Sequence, residues 1–275
     1  MNTILTKEDE AMIKEAKGNK VSGPIYSEDG LRLLKVLGNP EYLEVKDGVK
    51  AICDEACLGL DNLHDVVLPA SVTDLGTRAF ASCIKLFKIT MPGVDFIGIE
   101  SFAHCENLKE IALPETLGKI WKAAFADCKA LEEINIPSHL KIIDKSAFRN
   151  SGLKSLNIVI SDDCECCIYD KAFASCKHLE SVYLNKNVKI MDCMAFAGCT
   201  SLMTIEFENP SLTGLIGETG LIGEINATML IGCTSLEKII VPKNKYNHYP
   251  DFNIQGYESA QFETRDFNSL VTPKE

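Results

Sequence analysis

The chain has 275 residues, of which 46% are apolar and 24% charged, the composition of an ordinary folded protein. Its net charge of −11, with an isoelectric point near 5.0, argues against nucleic acid, whose phosphates need a basic face, and against adsorption to anionic membranes. No apolar run approaches the roughly 18 residues of a membrane helix, so no membrane insertion is expected.

The opening segment, Met1 to Glu10, lacks a basic stretch followed by an apolar core. No secretory leader is read there, which favours the cytoplasm. Residues 6–17 suit a short amphipathic helix ending at Gly18. Ile25 to Leu34 reads as a hairpin that turns at Asp29-Gly30. Residues 1–41 are therefore expected to form a helix-and-hairpin cap.

From Tyr42 the sequence becomes periodic. Tyr42-Leu43-Glu44-Val45, Val49-x-x-Ile52 and Ala56-Cys57 form a degenerate first copy, with Cys57 where later copies carry Phe and Leu60 where they carry Cys. The full phrase follows as Ala79-Phe80-Ala81-Ser82-Cys83, Ser101-Phe102-Ala103-His104-Cys105 and Ala124-Phe125-Ala126-Asp127-Cys128. It returns as Ala172-Phe173-Ala174-Ser175-Cys176 and Ala195-Phe196-Ala197-Gly198-Cys199, and once with Ser151 in place of Cys, after Ala147-Phe148. The six Phe are 22, 23, 23, 25 and 23 residues apart. A fixed period of that size marks a solenoid.

A second phrase alternates with the first: Leu63-x-x-Val66-x-Leu68-Pro69, Leu86-x-x-Ile89-x-Met91-Pro92, Leu108-x-x-Ile111-x-Leu113-Pro114, and further copies up to Leu236-x-x-Ile239-x-Val241-Pro242. Its last two apolar positions have strand periodicity, and the Pro ends the pairing. Apolar pairs three apart, such as Val72 with Leu75 and Leu117 with Ile120, lead into the next Ala-Phe segment, which suits one or two helical turns. One repeat is thus strand, turn, short helical piece, turn. The expected fold class is an α/β repeat solenoid, a curved rod with a parallel sheet on its concave face and short helical turns on its convex face. About eight repeats cover residues 42–242, and 243–275 reads as a C-terminal capping tail.

Two units are lengthened. One, between Ile158 and Phe173, holds Cys164-Glu165-Cys166-Cys167; the other, between Phe207 and Leu236, holds two Gly-Leu-Ile-Gly-Glu copies ending at Glu218 and Glu224. Such insertions map to loops on one face, often the binding face. Of the twelve Cys, those at 83, 105, 128, 176, 199 and 233 share one repeat position and read as reduced packing residues.

Little in the chain has the pattern of reaction chemistry. The five His (His64, His104, His139, His178, His248) lie in no metal-binding or catalytic spacing, and no nucleophile elbow or phosphate loop is present. Cys164, Cys166 and Cys167 with Asp162 and Asp163 are the one cluster of metal character, but neighbouring strand residues point to opposite sides. No catalytic residue, metal or cofactor is assigned. The outward positions of the strand phrase offer a binding surface, and Lys88, Glu110, Glu133, Asn135, Asn157, Tyr183 and Glu206 are its candidate contacts. Trp121, the only Trp, reads as a packed residue or as an interface anchor.

With these phrases in hand, the sequence resembles the BspA-like, or Treponema pallidum type, leucine-rich repeats. Leu63-His-Asp-Val66-Val-Leu68-Pro69-Ala-Ser-Val72-Thr-Asp-Leu75-Gly76-Thr-Arg-Ala79-Phe80-Ala-Ser-Cys83 follows the family phrase nearly throughout, and Tyr26 to Lys35 with Gly38-Asn39 is similar to the family's N-terminal cap. The resemblance implies a horseshoe or gently curved solenoid of bacterial or protist surfaces, linked to adhesion and host-protein binding, with no catalytic motif. It places the protein at the cell surface or outside the cell if a leader has been removed. The expected function is a non-enzymatic module binding a protein ligand through the concave sheet or the edge loops near 160–170 and 210–228. The alternatives are a metal-binding or catalytic protein using loop 162–167, and a structural spacer in a larger assembly.

Overall fold

The computed structural model describes residues 2–190, 194–209, 227–242 and 260–265. Helix α1, Lys7–Gly18, begins with a reciprocal cap: the Thr6 hydroxyl accepts from the Asp9 N–H at 3.2 Å, and the Asp9 carboxylate accepts from the Thr6 N–H at 2.8 Å. Glu8, Asp9 and Glu10 favour the positive end of the helix dipole. The helix buries Ile13 with Leu34 and Cys53, and Asp9 pairs with Arg32 at 2.9 Å, largely out of solvent. Arg32 belongs to an antiparallel hairpin, β1 (Gly23–Tyr26) and β2 (Arg32–Leu37).

The hairpin opens a nine-stranded sheet. Beyond it the strands are parallel: Ala51–Ile52, Asp74–Leu75, Phe96–Ile97, Lys119–Ile120, Ile142–Ile143, Cys166–Ile168 and Val188–Ile190. This face runs through the apolar pairs that read as lead-ins to the turn. Strands of two residues are too short to show alternation, which is why the sequence hides them.

The Leu-x-x-Ile phrases form the other strand face. It is divided into four strands (Tyr42–Glu44, Asp65–Val67, Lys88–Thr90, Glu110–Ile111) and five (Ser155–Ile158, Ser181–Leu184, Thr204–Phe207, Lys238–Pro242, Gln261–Arg265). The molecule is a parallel-sheet solenoid of about eight turns, with two strand faces where the sequence suggested one.

The third face corrects the expectation of helical turns. Among the described residues α1 is the one α-helix, and Ala227–Leu230 makes a single 3-10 turn. In the Ala-Phe segments alternate N–H groups point along the coil and across to the next. Ala79, Ala81 and Cys83 donate back to Gly76, Arg78 and Phe80, while Arg78, Phe80 and Ser82 donate to Ile99, Ser101 and Ala103 of the next coil. A continuous helix would keep all of these bonds internal. The sideways bonds extend coil-to-coil pairing to this face as well.

The core lies between the three faces. Phe80, Phe102, Phe125, Phe148, Phe173 and Phe196 are fully buried and stack with centroids 5.2–5.6 Å apart and planes within 8° of parallel. Beside them the thiols of Cys105, Cys128, Cys176, Cys199 and Cys233 donate to the Phe carbonyl of the preceding coil at 3.1–3.2 Å. The described cysteines are free. The tail read over 243–275 lies outside the described residues except for 260–265, whose strand closes the five-stranded sheet.

Candidate binding face

Alternation along each strand sends one residue inward and the next outward. In the coil of Lys88–Thr90, Ile89 is buried while Lys88 and Thr90 are exposed. The parallel register then lines up outward residues across coils: Asp65, Lys88 and Glu110 in one row, Asn157, Tyr183 and Glu206 in another.

The seven candidate contacts separate into three groups. Lys88 and Glu110 form an exposed ion pair at 2.9 Å, and the hydrogen bond that the Lys88 ammonium donates to Glu110 raises its pKa above the ordinary value. Asn157, Tyr183 and Glu206 come together on the five-stranded sheet. Burial pushes the Tyr183 hydroxyl well above the usual tyrosine range, and its bond to Glu208 and the nearby Glu206 carboxylate push the same way. Glu206 is held by Arg265 in the last strand, two coils away, and Lys238 pairs with Glu263 at 2.7 Å beside it.

Glu133 and Asn135 fall in the interval between the two sheets. Glu133 is exposed and makes no ion pair among the described residues. Asn135 turns its amide onto the neighbouring coil, where its Oδ1 accepts from the Leu113 N–H at 2.9 Å and its Nδ2 donates to the Leu113 carbonyl at 2.8 Å. It stands in for a main-chain peptide group, a role its outward position in the sequence did not suggest.

Around this amide the ladder lapses. None of the N–H groups of Glu133, Ile134, Asn135 and Ile136 finds an acceptor among the described residues. Ile111 and Ile134 are only partly buried, whereas Val66, Ile89, Leu156, Val182 and Ile205 at matching positions are at most 3% exposed, and Ile136 is partly buried where Leu68, Met91, Leu113 and Ile158 are at most 3% exposed. Next to the lapse lies an open hollow of about 440 Å³, lined by Lys88–Pro92 and Glu110–Pro114.

The Cys-rich loop does not assemble a ligand set. Cys166 is buried in the core, Cys164 donates to the His139 carbonyl at 3.5 Å, and Cys167 is partly exposed on the outer side of the nine-stranded sheet. Burial raises the thiols of Cys166 and Cys167. Among the described residues no three His, Cys, Asp or Glu side chains gather to hold a metal ion. His104 lies 3.6 Å from Asp127 and His139 lies 3.7 Å from Asp163, both His well exposed. The loop near 210–228 lies outside the described residues as far as 226. Trp121 is half-buried on the nine-stranded face, against Phe96 (5.4 Å) and beneath the Lys119 ammonium (3.3 Å). Among the described residues no helix is long and apolar enough to cross a membrane.

A family model for the BspA type leucine rich repeat region matches in six copies, over residues 50–165 and 166–251. No curated protein matches the chain. Among solved structures, a leucine-rich repeat protein from Bacteroides ovatus is 16% identical, with 90% of this chain and 91% of that one covered and a TM-score of 0.45. A leucine rich cell surface protein from Faecalibacterium prausnitzii is 20% identical over 90% of this chain and 93% of that one, with a TM-score of 0.41. The T. pallidum leucine rich repeat protein is 22% identical over 80% and 79%, with a TM-score of 0.38.

Proposed function

We propose, for a chain that belongs to the BspA-type leucine-rich repeat family, that it is a binding module whose Leu-x-x-Ile face takes a protein partner. The observation that carries this reading is the registered surface itself. Side chains that the sequence scatters 22–26 residues apart stand in rows on adjacent coils, with an aromatic hydroxyl, amides and carboxylates side by side. Tyr183 is the anchor we assign, because interface energy concentrates in aromatic residues with part-buried surroundings. The module needs no catalytic group, and adhesion to a protein on another surface is one form the binding takes.

The test is affinity capture from extracts of the source cell and its host tissue, comparing wild type with Glu133→Ala, Tyr183→Ala and a control, Lys122→Ala, on an exposed corner away from this face. A genuine partner is lost at least about ten-fold with Tyr183→Ala or Glu133→Ala and retained with the control, at unchanged melting temperature. Retention by both face variants places the contact elsewhere.

A further inference from the structure

We infer that the interval between the two sheets receives an extended, positively charged segment of a protein partner, which seats an apolar side chain in the hollow beside Ala112 and a basic one at Glu133. This rests on the binding-face reading and names the chemistry of the occupant.

Shape is the first ground. The hollow lies over Lys88–Pro92 and Glu110–Pro114; of its apolar lining Pro92, Ile111, Ala112 and Pro114 reach solvent while Ile89, Met91 and Leu113 lie beneath, and the small side chains of Thr90 and Ala112 keep it open. Ile134 and Ile136, left partly exposed where other coils bury the same position, continue the apolar strip. Water covers that strip at a cost that an apolar side chain relieves. The neighbouring coils remain at strand spacing elsewhere: Lys119 pairs with Ile142, and Phe125 stacks at 5.2 Å on both sides. The segment therefore lies over the interval and not between coils. The unpaired N–H groups of Glu133–Ile136 beneath it make the interval polar along its centre, which suits a peptide main chain better than a wholly apolar ligand.

Charge is the second ground. The row across this region is Asp65, Lys88 and Glu110, with Glu133 at the matching repeat position of the next coil, three carboxylates to one ammonium, and that ammonium is already bonded to Glu110. The next cation along, Lys154, is taken by Glu132 at 2.8 Å. Glu133, at the end of the row, makes no ion pair of its own among the described residues and acts on Lys154 only through space, so a basic residue completes the pattern and an acidic one is repelled.

The experiment is fluorescence polarisation with labelled hexapeptides at low and moderate salt: alternating Lys-Val, alternating Lys-Ser and alternating Glu-Val. The Lys-Val peptide binds, Ser in place of Val weakens it at least five-fold, and the Glu-Val peptide does not bind. Glu133→Lys and Ala112→Phe, which reverses the charge and fills the hollow, each weaken Lys-Val at least ten-fold, whereas Glu10→Lys, the same charge change on α1, leaves it within two-fold. Equal weakening by Glu10→Lys shows attraction to net charge alone and overturns the inference, as does binding indifferent to both site variants. If no hexapeptide binds while partner capture still depends on Tyr183 or Glu133, this inference fails and the wider reading stands; if capture is indifferent to both, both fail.

Discussion

Each Ala-Phe turn carries two residues in the left-handed backbone region, one before the Ala and one before the Cys. Ala123 and Asp127 are such a pair, and so are Ser146 with Asn150 and Lys171 with Ser175, at φ between 53° and 62°. In the later position the sequence offers Asp127, Asn150 and Gly198, residue types that tolerate this region, beside Ser82 and Ser175, which signal it less, and the segment reads as helical throughout. The earlier position holds Arg78, Ala123 and Met194, which tolerate it poorly, and the Ala-rich flank argued for helix. Ala123→Gly is expected to raise stability by about 0.5–1 kcal/mol, because relief of left-handed strain exceeds the entropy gained by the unfolded chain. Gly198→Ala, at φ 73° with Ser175 beside it, is expected to lower it by about 1 kcal/mol. Urea unfolding of both variants checks the pair of signs. The recurring Cys was read as a small apolar filler; the thiols also cap a carbonyl of the preceding coil, and burial raises those of Cys83, Cys105 and Cys128, which keeps these three protonated as donors.

The stacked phenylalanines are the element that joins coil to coil. Phe125 touches a ring on both sides, Phe102 and Phe148, while Phe80 has one such neighbour, Phe102. Phe125→Ala is expected to cost about 3–5 kcal/mol, and Phe80→Ala less, with Cys57 at the matching position of the preceding coil. Denaturant midpoints rank the two; a larger loss at Phe80 contradicts the ladder as the source of the energy. This element was fully legible, because a bulky residue repeating at one period has one place to go. The Leu-x-x-Ile strands were legible for the same reason. The nine-stranded face was not, since its order comes from neighbouring coils and its own segments are two or three residues long.

Over the whole molecule the two strand faces differ. The nine-stranded sheet runs unbroken from the hairpin to Val188–Ile190, whereas the Leu-x-x-Ile face lapses at Glu133–Ile136. Amides there are expected to exchange with solvent at least about ten-fold faster than those of Leu156 and Val182, whose strands are paired. Hydrogen exchange followed by mass spectrometry reads the difference, and equal protection removes the lapse. Of the seven candidate residues, Lys88, Glu110, Asn157, Tyr183 and Glu206 lie on strands and Glu133 and Asn135 lie where no strand forms, and the sequence did not group them. Grouping depends on which residue stands opposite which across coils of 22 to 26 residues, and on an Asn135 amide that folds back onto Leu113.

Among the described residues, nearly every ion pair of the coils links one turn to another: Lys129 reaches Glu106, Lys154 reaches Glu132, and Lys189 reaches Glu165, at 2.7–2.8 Å. Length is consequently a free variable in this architecture. A tandem copy of one whole turn, spliced at equivalent points, would find the same neighbours above and below that its template has. The chain could thus be lengthened or shortened in steps of about two dozen residues, moving its ends apart or together while each remaining contact is kept.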